Sequence, residues 1–353
     1  MQISMFNEEK AKSTDWKWTM AKDYPEKNGL KVFSCFACGG GSTMGYKLCG
    51  CDVIGCNEID PRMNKVYVEN HHPKYNYLED IRDFNKRDDL PKELYNLDIL
   101  DGSPPCSTFS MAGQREDAWG VAKKFREGQK EQTLDDLLFV FIDTVAKLQP
   151  KVAIMENVEG LMLGNAWKYV QQIYKKFNDI GYKVKHWLLK GETMGVPQTR
   201  HRVFFVATRL DFDLDLVNMY FNYEPVTYSE FKTQEEKIAN GVMSNVIKKH
   251  PNMKVDEAMF LETGKHSGIT HRIVKLNDIY PTQTSGHGDI WTENGNHPSD
   301  RDVLHAQSFA EDYNLLKEKS EYICGMSVPP IMIKRLVTRL IESGLFNYKL
   351  KGV

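Results

Sequence analysis

The stretch Lys31–Glu58, KVFSCFACGGGSTMGYKLCGCDVIGCNE, decides the fold. Lys31–Ala37 is an apolar run of strand length, Gly39–Ser42 reads as a tight turn, and Thr43–Cys49 has helical spacing. Asp52–Cys56 is a second strand, ending in Asn57-Glu58-Ile59-Asp60. The same alternation continues outward. Pro61 sits at the first position of a helix over Arg62–Asn70, where its fixed φ is pre-set for helix. Leu97–Leu100 is a strand that runs into Asp101-Gly102-Ser103-Pro104-Pro105. Leu134–Leu148 has helical spacing and stops before Pro150, and Val152–Met155 is a buried-strand run. Trp167–Ile180 is a helix closed by Gly181, with its Tyr and Trp residues read as core, and Val203–Ala207 is a further strand. Such alternation predicts an α/β fold, a doubly wound, mostly parallel sheet with helices on both faces. Ligands of such sheets bind beyond the C-terminal strand ends. The glycine turn, Asn57-Glu58, Pro105-Cys106 and Glu156-Asn157 all fall just past strand ends.

After Arg209 the pattern breaks. Residues 211–296 hold few periodic runs and many turn formers, and Ser244–Lys275 is locally basic, with His250, His266 and His271 in the same stretch. A second, smaller and irregular domain is expected there. Helical period returns at Ile331–Ile341, so the chain is expected to rejoin the first domain. The boundaries read as an arm over 1–29 that carries no legible chemistry, a first domain over 30–210, a smaller one over 211–319, and a returning segment over 320–353.

Composition narrows the class. The 46 Lys and Arg nearly balance the 48 Asp and Glu, giving a net charge of −2, so a uniformly basic nucleic-acid coat is excluded while a local basic cleft is not. No apolar run reaches the ~20 residues that span a bilayer, and MQISMFNEEKAKSTDWKW lacks the apolar stretch of a secretory signal. Seven cysteines, an odd number, point to a reducing compartment rather than a disulfide framework. Five of them crowd together as Cys35, Cys38, Cys49, Cys51 and Cys56. With no second C-x-x-C pair and no adjoining His, they read as small buried thiols and no metal is expected.

Several strand-end residues carry chemistry. Gly39-Gly40-Gly41 lets backbone approach a ligand and offers helix N-terminal N–H groups. It does not spell the dinucleotide fingerprint, but Glu58, about 20 residues on at the next strand end, can accept from two ribose hydroxyls. Together they point to a nucleoside cofactor, NAD or S-adenosylmethionine. Asp80 can receive an adenine amino group, or be a surface loop acid. Two prolines lead Cys106 into a loop, where a thiolate could act as nucleophile. Glu156 places an acid at the end of an apolar strand, where burial disfavours its charge. Arg200 and Arg202 fall on one face by period two and suit phosphate or carbonyl oxygens. His71-His72 reads as a helix end and His287 as a turn residue.

Taken in order, these motifs make the chain resemble the DNA (cytosine-5) methyltransferases of bacterial or phage type, over Lys31 to about Gly344. Phe36-Ala37-Cys38-Gly39-Gly40-Gly41 is similar to the family's F-x-G-x-G-G loop, departing at Cys38. Asn57-Glu58-Ile59-Asp60 and Asp80-Ile81 resemble its ribose and adenine segments. Gly102–Ser110 matches the catalytic loop, and Glu156-Asn157-Val158 and Gln198–Arg202 match the next two signatures. Arg301–Phe309 resembles the segment at the base of the small domain, with His305 where arginine is favoured. Gly325–Pro330 resembles the last signature, with Met326 where asparagine is usual.

The resemblance implies a doubly wound, Rossmann-like methyltransferase domain with a target-recognition domain, and S-adenosylmethionine as cofactor. The implied cofactor residues are Phe36, Gly40, Gly41, Glu58, Ile59, Asp80, Ile81, Pro105, Leu137, Ser327 and Val328. The implied reaction flips a cytosine out of duplex DNA. Cys106 then attacks C6, Glu156 (protonated or sharing a proton) gives a proton to N3, and Arg202 binds O2. The methyl group passes to C5. Gln114, Arg115 and Arg200 are the expected DNA contacts, with Gln114 filling the space of the flipped base. Double-stranded DNA is the implied partner of a monomer in the cytoplasm, nucleoid-associated, in a bacterial or phage-infected cell, with a cognate restriction endonuclease as functional counterpart. The alternatives weighed are a tRNA methyltransferase of the same fold, a catalytically dead DNA-binding regulator and an NAD-dependent oxidoreductase. The separate variable domain favours DNA, and the broken dinucleotide fingerprint disfavours NAD.

Overall fold

A computed structural model describes residues 10–105, 136–267, 270–286 and 288–350. Its centre is a seven-stranded sheet: β1 (Lys31–Cys35), β2 (Asp52–Glu58), β3 (Tyr75–Leu78), β4 (Ile99–Gly102), β5 (Val152–Val158), β6 (Lys183–Lys190) and β7 (His201–Thr208), in the order β3-β2-β1-β4-β5-β7-β6. The neighbours from β3 to β5 pair parallel, and β7 runs antiparallel between β5 and β6. The strands expected from apolar runs are present. The polar edge strands β3 and β6 escape an apolar-run reading because much of each faces solvent.

Helices α1 (Gly41–Leu48), α2 (Pro61–His71), α3 (Ile81–Lys86), α4 (Leu137–Leu148) and α5 (Trp167–Asp179) alternate with the strands. Both sheet faces are covered. Val32, Ile99, Ile154 and Phe204 pack into one core with Met44 of α1 and the returning C-terminal helix. Phe33, Leu100, Met155 and Phe205 pack on the other side with Phe84, Phe141 and Ile173. Period-two alternation thus sorts each strand between two cores, which is what doubly wound means physically. Trp167, read as core, is instead 41% exposed at the first residue of α5, while Val170, Ile173 and Phe177 are buried. No described helix is long and apolar enough to cross a membrane.

Beyond β7 the chain forms α6 (Val242–Lys249), α7 (Val255–Thr263), α8 (Asp300–Ala306), α9 (Ser320–Met326) and α10 (Pro330–Glu342) among short strand pairs. A separate small core unites Trp16, Val226, Phe231, Val274, Tyr280 and Ile290. Phe212–Phe221 and Val303–Tyr313, by contrast, contribute to the main core with α10. Much of the local basic charge is paired internally: Lys249 and His250 with Glu262, and His266 with Asp256.

The segment before β1 is a strap. Ala11–Lys12 pairs with Tyr223–Glu224. Trp16 and Trp18 are buried, Trp18 Nε1 donates to the Ser308 carbonyl at 3.0 Å, and Asp15 pairs with Lys334 and Arg335 of α10. Polar composition hid this role, which rests on two indoles and one carboxylate.

Candidate active site

Strands β1 to β5 end on one edge of the sheet, and antiparallel β7 begins there. Val158 pairs with Arg202, and Glu156 with Phe204, so Glu156 and Arg202 point to the same face. Arg202 Nε stands 2.8 Å from Glu156 Oε1, with side chains only 13% and 10% exposed. A buried carboxylate needs such a counter-charge. Arg202 Nη1 also donates to the His201 carbonyl at 2.7 Å, which fixes the guanidinium. Asn157 Nδ2 donates to the Pro104 carbonyl at 3.3 Å, tying the end of β5 to the proline approach that follows β4. Cys106 is the second residue after Pro104; it lies outside the described residues, as do Gln114, Arg115 and His287.

The glycine turn after β1 is held from every side. Glu58 accepts from Cys38 N at 2.6 Å and from Asp60 N at 2.8 Å, and burial raises its pKa. Phe36 and Cys38 take positive φ of 55° and 44°. Cys38 therefore keeps the left-handed backbone that a glycine there would adopt freely, at the cost of a Cβ in a crowded conformation. Gly40 has φ 84°, and a Cβ on it would strike the His71 ring; one on Gly41 would strike the Val328 carbonyl. Ser327 and Val328 of the returning segment thus lie across the turn. Tyr313 OH donates to the Gly39 carbonyl at 2.6 Å, and His71 Nε2 lies 3.3 Å from the same oxygen. Burial, then the Lys47 charge, lower the His71 pKa to about 3, so the ring is neutral.

Asp80 caps α3, accepting from Arg82 N at 2.8 Å. Arg82 Nη2 donates to Asp136 Oδ1 at 2.7 Å, and Arg82 Nη1 also pairs with Asp80, which brings the start of α4, and with it Leu137, near Asp80. Ile59 and Phe36 are half-buried, whereas Ile81 and Leu137 are fully packed. Two carboxylates at strand ends, a glycine turn and apolar side chains are the donor and acceptor chemistry that a ribose, an adenine and a short charged tail require.

The C-5 cytosine-specific DNA methylase family model matches residues 30–276. The chain belongs to that family. S-adenosylmethionine is the family's methyl donor, and the donor set around Glu58 and Asp80 fits it. Among methylase relatives, the chain is 32% identical over 209 residues to the type II methyltransferase M.FnuDI of Fusobacterium nucleatum, a match covering 59% of this chain and 55% of that one. It is 31% identical over 188 residues to M.NgoPII of Neisseria gonorrhoeae, covering 53% and 50%. The chain thus spans about half the length of these two relatives. A crystal structure of a putative DNA modification methyltransferase encoded within an E. coli prophage shares the fold, with TM-score 0.60, 20% identity and coverage of 90% of this chain and 100% of that one.

One family position departs from its expected role. Arg200, expected at the DNA surface, is 3% exposed and lies before β7 rather than on it. Its Nη1 donates to the Gln283 carbonyl at 2.9 Å and its Nη2 to the Gly325 and Ser327 carbonyls at 3.0 Å each. Period two cannot be extended across the turn at Arg200, so this arginine braces the returning segment instead of facing solvent. His305 is likewise buried on α8, edge-on to Trp16 with ring centroids 5.5 Å apart. Sequence reasoning missed His71 and Tyr313. His71 follows Met63 and Tyr67 at spacings of four, the buried stripe of α2, and that periodicity was its signal. Tyr313 carries none. The described cysteines are free, and among the described residues no three His, Cys, Asp or Glu gather as metal ligands.

Proposed function

We propose that this chain methylates C5 of a cytosine flipped out of a short duplex DNA sequence. The observation that carries the reading is the buried Arg202–Glu156 pair at the strand edge where the Pro104-Pro105-Cys106 loop begins. Cytosine resists attack at C6 unless its ring is polarised. Arg202 fixes O2 and stabilises the negative charge that develops there, and Glu156 gives a proton to N3. Cys106, as thiolate, forms the bond to C6 and leaves again when the C5 proton is lost. Bound S-adenosylmethionine supplies the methyl group for C5. Glu58 accepts from its ribose hydroxyls, Asp80 from its adenine amine, and Gly40, Gly41, Ser327 and Val328 frame its amino-acid end. Phe36, Ile59, Ile81, Pro105 and Leu137 supply the apolar walls.

Segment 211–319 supplies target recognition in this reading. Since Phe212–Phe221 and Val303–Tyr313 pack into the main core, base readout falls to the part between them. Gln114 and Arg115 contact DNA from the loop after Cys106. The partner is double-stranded DNA, the protein acts as a monomer in the cytoplasm, and a cognate restriction endonuclease is its functional counterpart. Transfer of tritiated methyl from S-adenosylmethionine to mixed-sequence duplex DNA and to bulk tRNA tests the reading. Label recovered as 5-methylcytosine in DNA supports it. Label in tRNA alone assigns the chain to RNA, and absence from both with the donor still bound leaves a binding protein.

A further inference from the structure

The Gly39 carbonyl oxygen, in the middle of the glycine turn, is held by two side chains from outside the turn. Tyr313 OH donates to it at 2.6 Å, and His71 Nε2 lies 3.3 Å away. A carbonyl oxygen has two lone pairs, so the two donors together satisfy it. His71 and Tyr313 are both buried, and the oxygen therefore points into the protein. A Cβ on Gly39 would strike the Tyr313 hydroxyl and one on Gly40 the His71 ring, which places both groups hard against the backbone of the turn.

Both donors are themselves held. Tyr67, one turn earlier on α2, packs edge-on against His71 with ring centroids 4.8 Å apart, and its hydroxyl bonds Thr43 Oγ1 of α1 at 2.8 Å. Asn70 Nδ2 donates to the Asn314 carbonyl at 2.9 Å and Asn314 N to Asn70 Oδ1 at 2.8 Å, which ties the end of α2 to the chain beside Tyr313. Burial keeps the Tyr313 phenol protonated and the His71 ring neutral. His71 Nδ1 is buried with no partner among the described residues, which assigns the ring proton to Nε2, where Gly39 can accept it.

The turn needs such a hold. Phe36 and Cys38 both take positive φ, 55° and 44°, a conformation that residues with a Cβ keep only where the surroundings over-determine it. Glu58 fixes Cys38 N at 2.6 Å, and the phenol and the imidazole fix the carbonyl of the next residue. We propose that Tyr313 and His71 are positioning residues for the methyl donor. They draw the Gly39 carbonyl into the protein, so that the turn meets the carboxylate of the donor's amino-acid end with the unpaired amides of a helix start and not with an acceptor oxygen. Each acts through Gly39 and not by touching the donor. The proposal rests on the reading that Gly40 and Gly41 frame that end.

Calorimetric titration with two ligands tests it: S-adenosylhomocysteine, and 5′-methylthioadenosine, which keeps the nucleoside and lacks the amino-acid end. Tyr313→Phe removes one hydroxyl and keeps the ring. It should weaken S-adenosylhomocysteine about 3–10-fold, the worth of one hydrogen bond, and leave 5′-methylthioadenosine within about twofold of the wild type. His71→Leu should show the same split. His71→Gln, whose amide can donate from the place of the ring nitrogen, should recover most of the lost affinity. In methyl transfer the Tyr313→Phe loss should fall on the KM for S-adenosylmethionine, with kcat within about twofold. Equal losses on both ligands would mean a general loosening of the fold, and an unchanged S-adenosylhomocysteine affinity would mean a turn that stands without the clamp; either result overturns the proposal. A wild type that binds the two ligands alike would instead remove the reading of the turn on which the proposal rests, and the proposal with it.

Discussion

Arg202 Nε and Glu156 Oε1 stand 2.8 Å apart across antiparallel strands, both nearly buried. The pair joins a cation that can hold a carbonyl oxygen to an acid that can serve the adjacent ring nitrogen. Each side chain also prevents the other from being a lone buried charge. Removing one member therefore has two separable consequences, on chemistry and on stability.

Glu156→Gln keeps the shape and loses the proposed proton donor. Methyl transfer should fall by about 10²–10⁴-fold, with S-adenosylhomocysteine affinity unchanged. Arg202→Ala should lose a comparable factor and also unfold at lower urea, because Glu156 is left without its partner. Calorimetric titration and urea melts on the two variants separate these effects.

Arg200 should behave differently from Arg202. Arg200→Ala strips the Gln283 and Gly325 carbonyls of their donor, while the Ser327 carbonyl keeps Gln307 Nε2 at 2.7 Å. A stability loss of about 3 kcal/mol is expected, with weaker donor binding because Ser327 is released. The salt dependence of DNA binding should keep its slope, since a buried brace displaces no counterions. A slope reduced by about one would return Arg200 to the DNA surface.

The described thiols should be inert. Burial raises the pKa of Cys38 and Cys51 to about 12 and of Cys49 to about 11, and that of Cys35 and Cys324 well above the usual thiol range. At about pH 8 the native protein should show one fast-reacting thiol toward a disulfide reagent, and Cys106→Ser should abolish that phase. Several fast thiols in the wild type would contradict the packing described.

Asp101, buried on β4, sets a pH trend in stability. Its folded pKa, near 7, lies above the ~4 of an unfolded Asp, so the folded state binds the proton more tightly. That contribution is fully present below about pH 4 and lost as pH rises through 7. It amounts to roughly 4 kcal/mol at most. Urea midpoints of wild type relative to Asp101→Asn should therefore fall between about pH 4 and pH 7. A constant difference would mean that Asp101 keeps an ordinary pKa in the fold.

The legible part of the molecule was the part written in short-range pattern. Apolar strand runs, the glycine turn and Pro61 placed β1, β2, β4, β5 and β7 and α1 and α2 within a few residues, and acids just past strand ends marked Glu58 and Glu156. Long-range polar contacts were not legible. Arg200 looks like Arg202 in sequence, and only the turn before β7 and the carbonyls of Gln283, Gly325 and Ser327 show that it faces inward. Trp18 and Tyr313 reach partners 290 and 274 residues away, a separation at which no local spacing can signal.

The decisive measurement is covalent capture on duplex DNA carrying 5-fluorocytosine, in the presence of S-adenosylmethionine. Fluorine at C5 blocks the loss that releases Cys106, so the wild type should accumulate a protein–DNA complex that survives denaturing gels. Cys106→Ser should form none, and Glu156→Gln should form it far more slowly. A complex that persists in Cys106→Ser, or its absence from a wild type that methylates ordinary cytosine, would contradict the proposed chemistry.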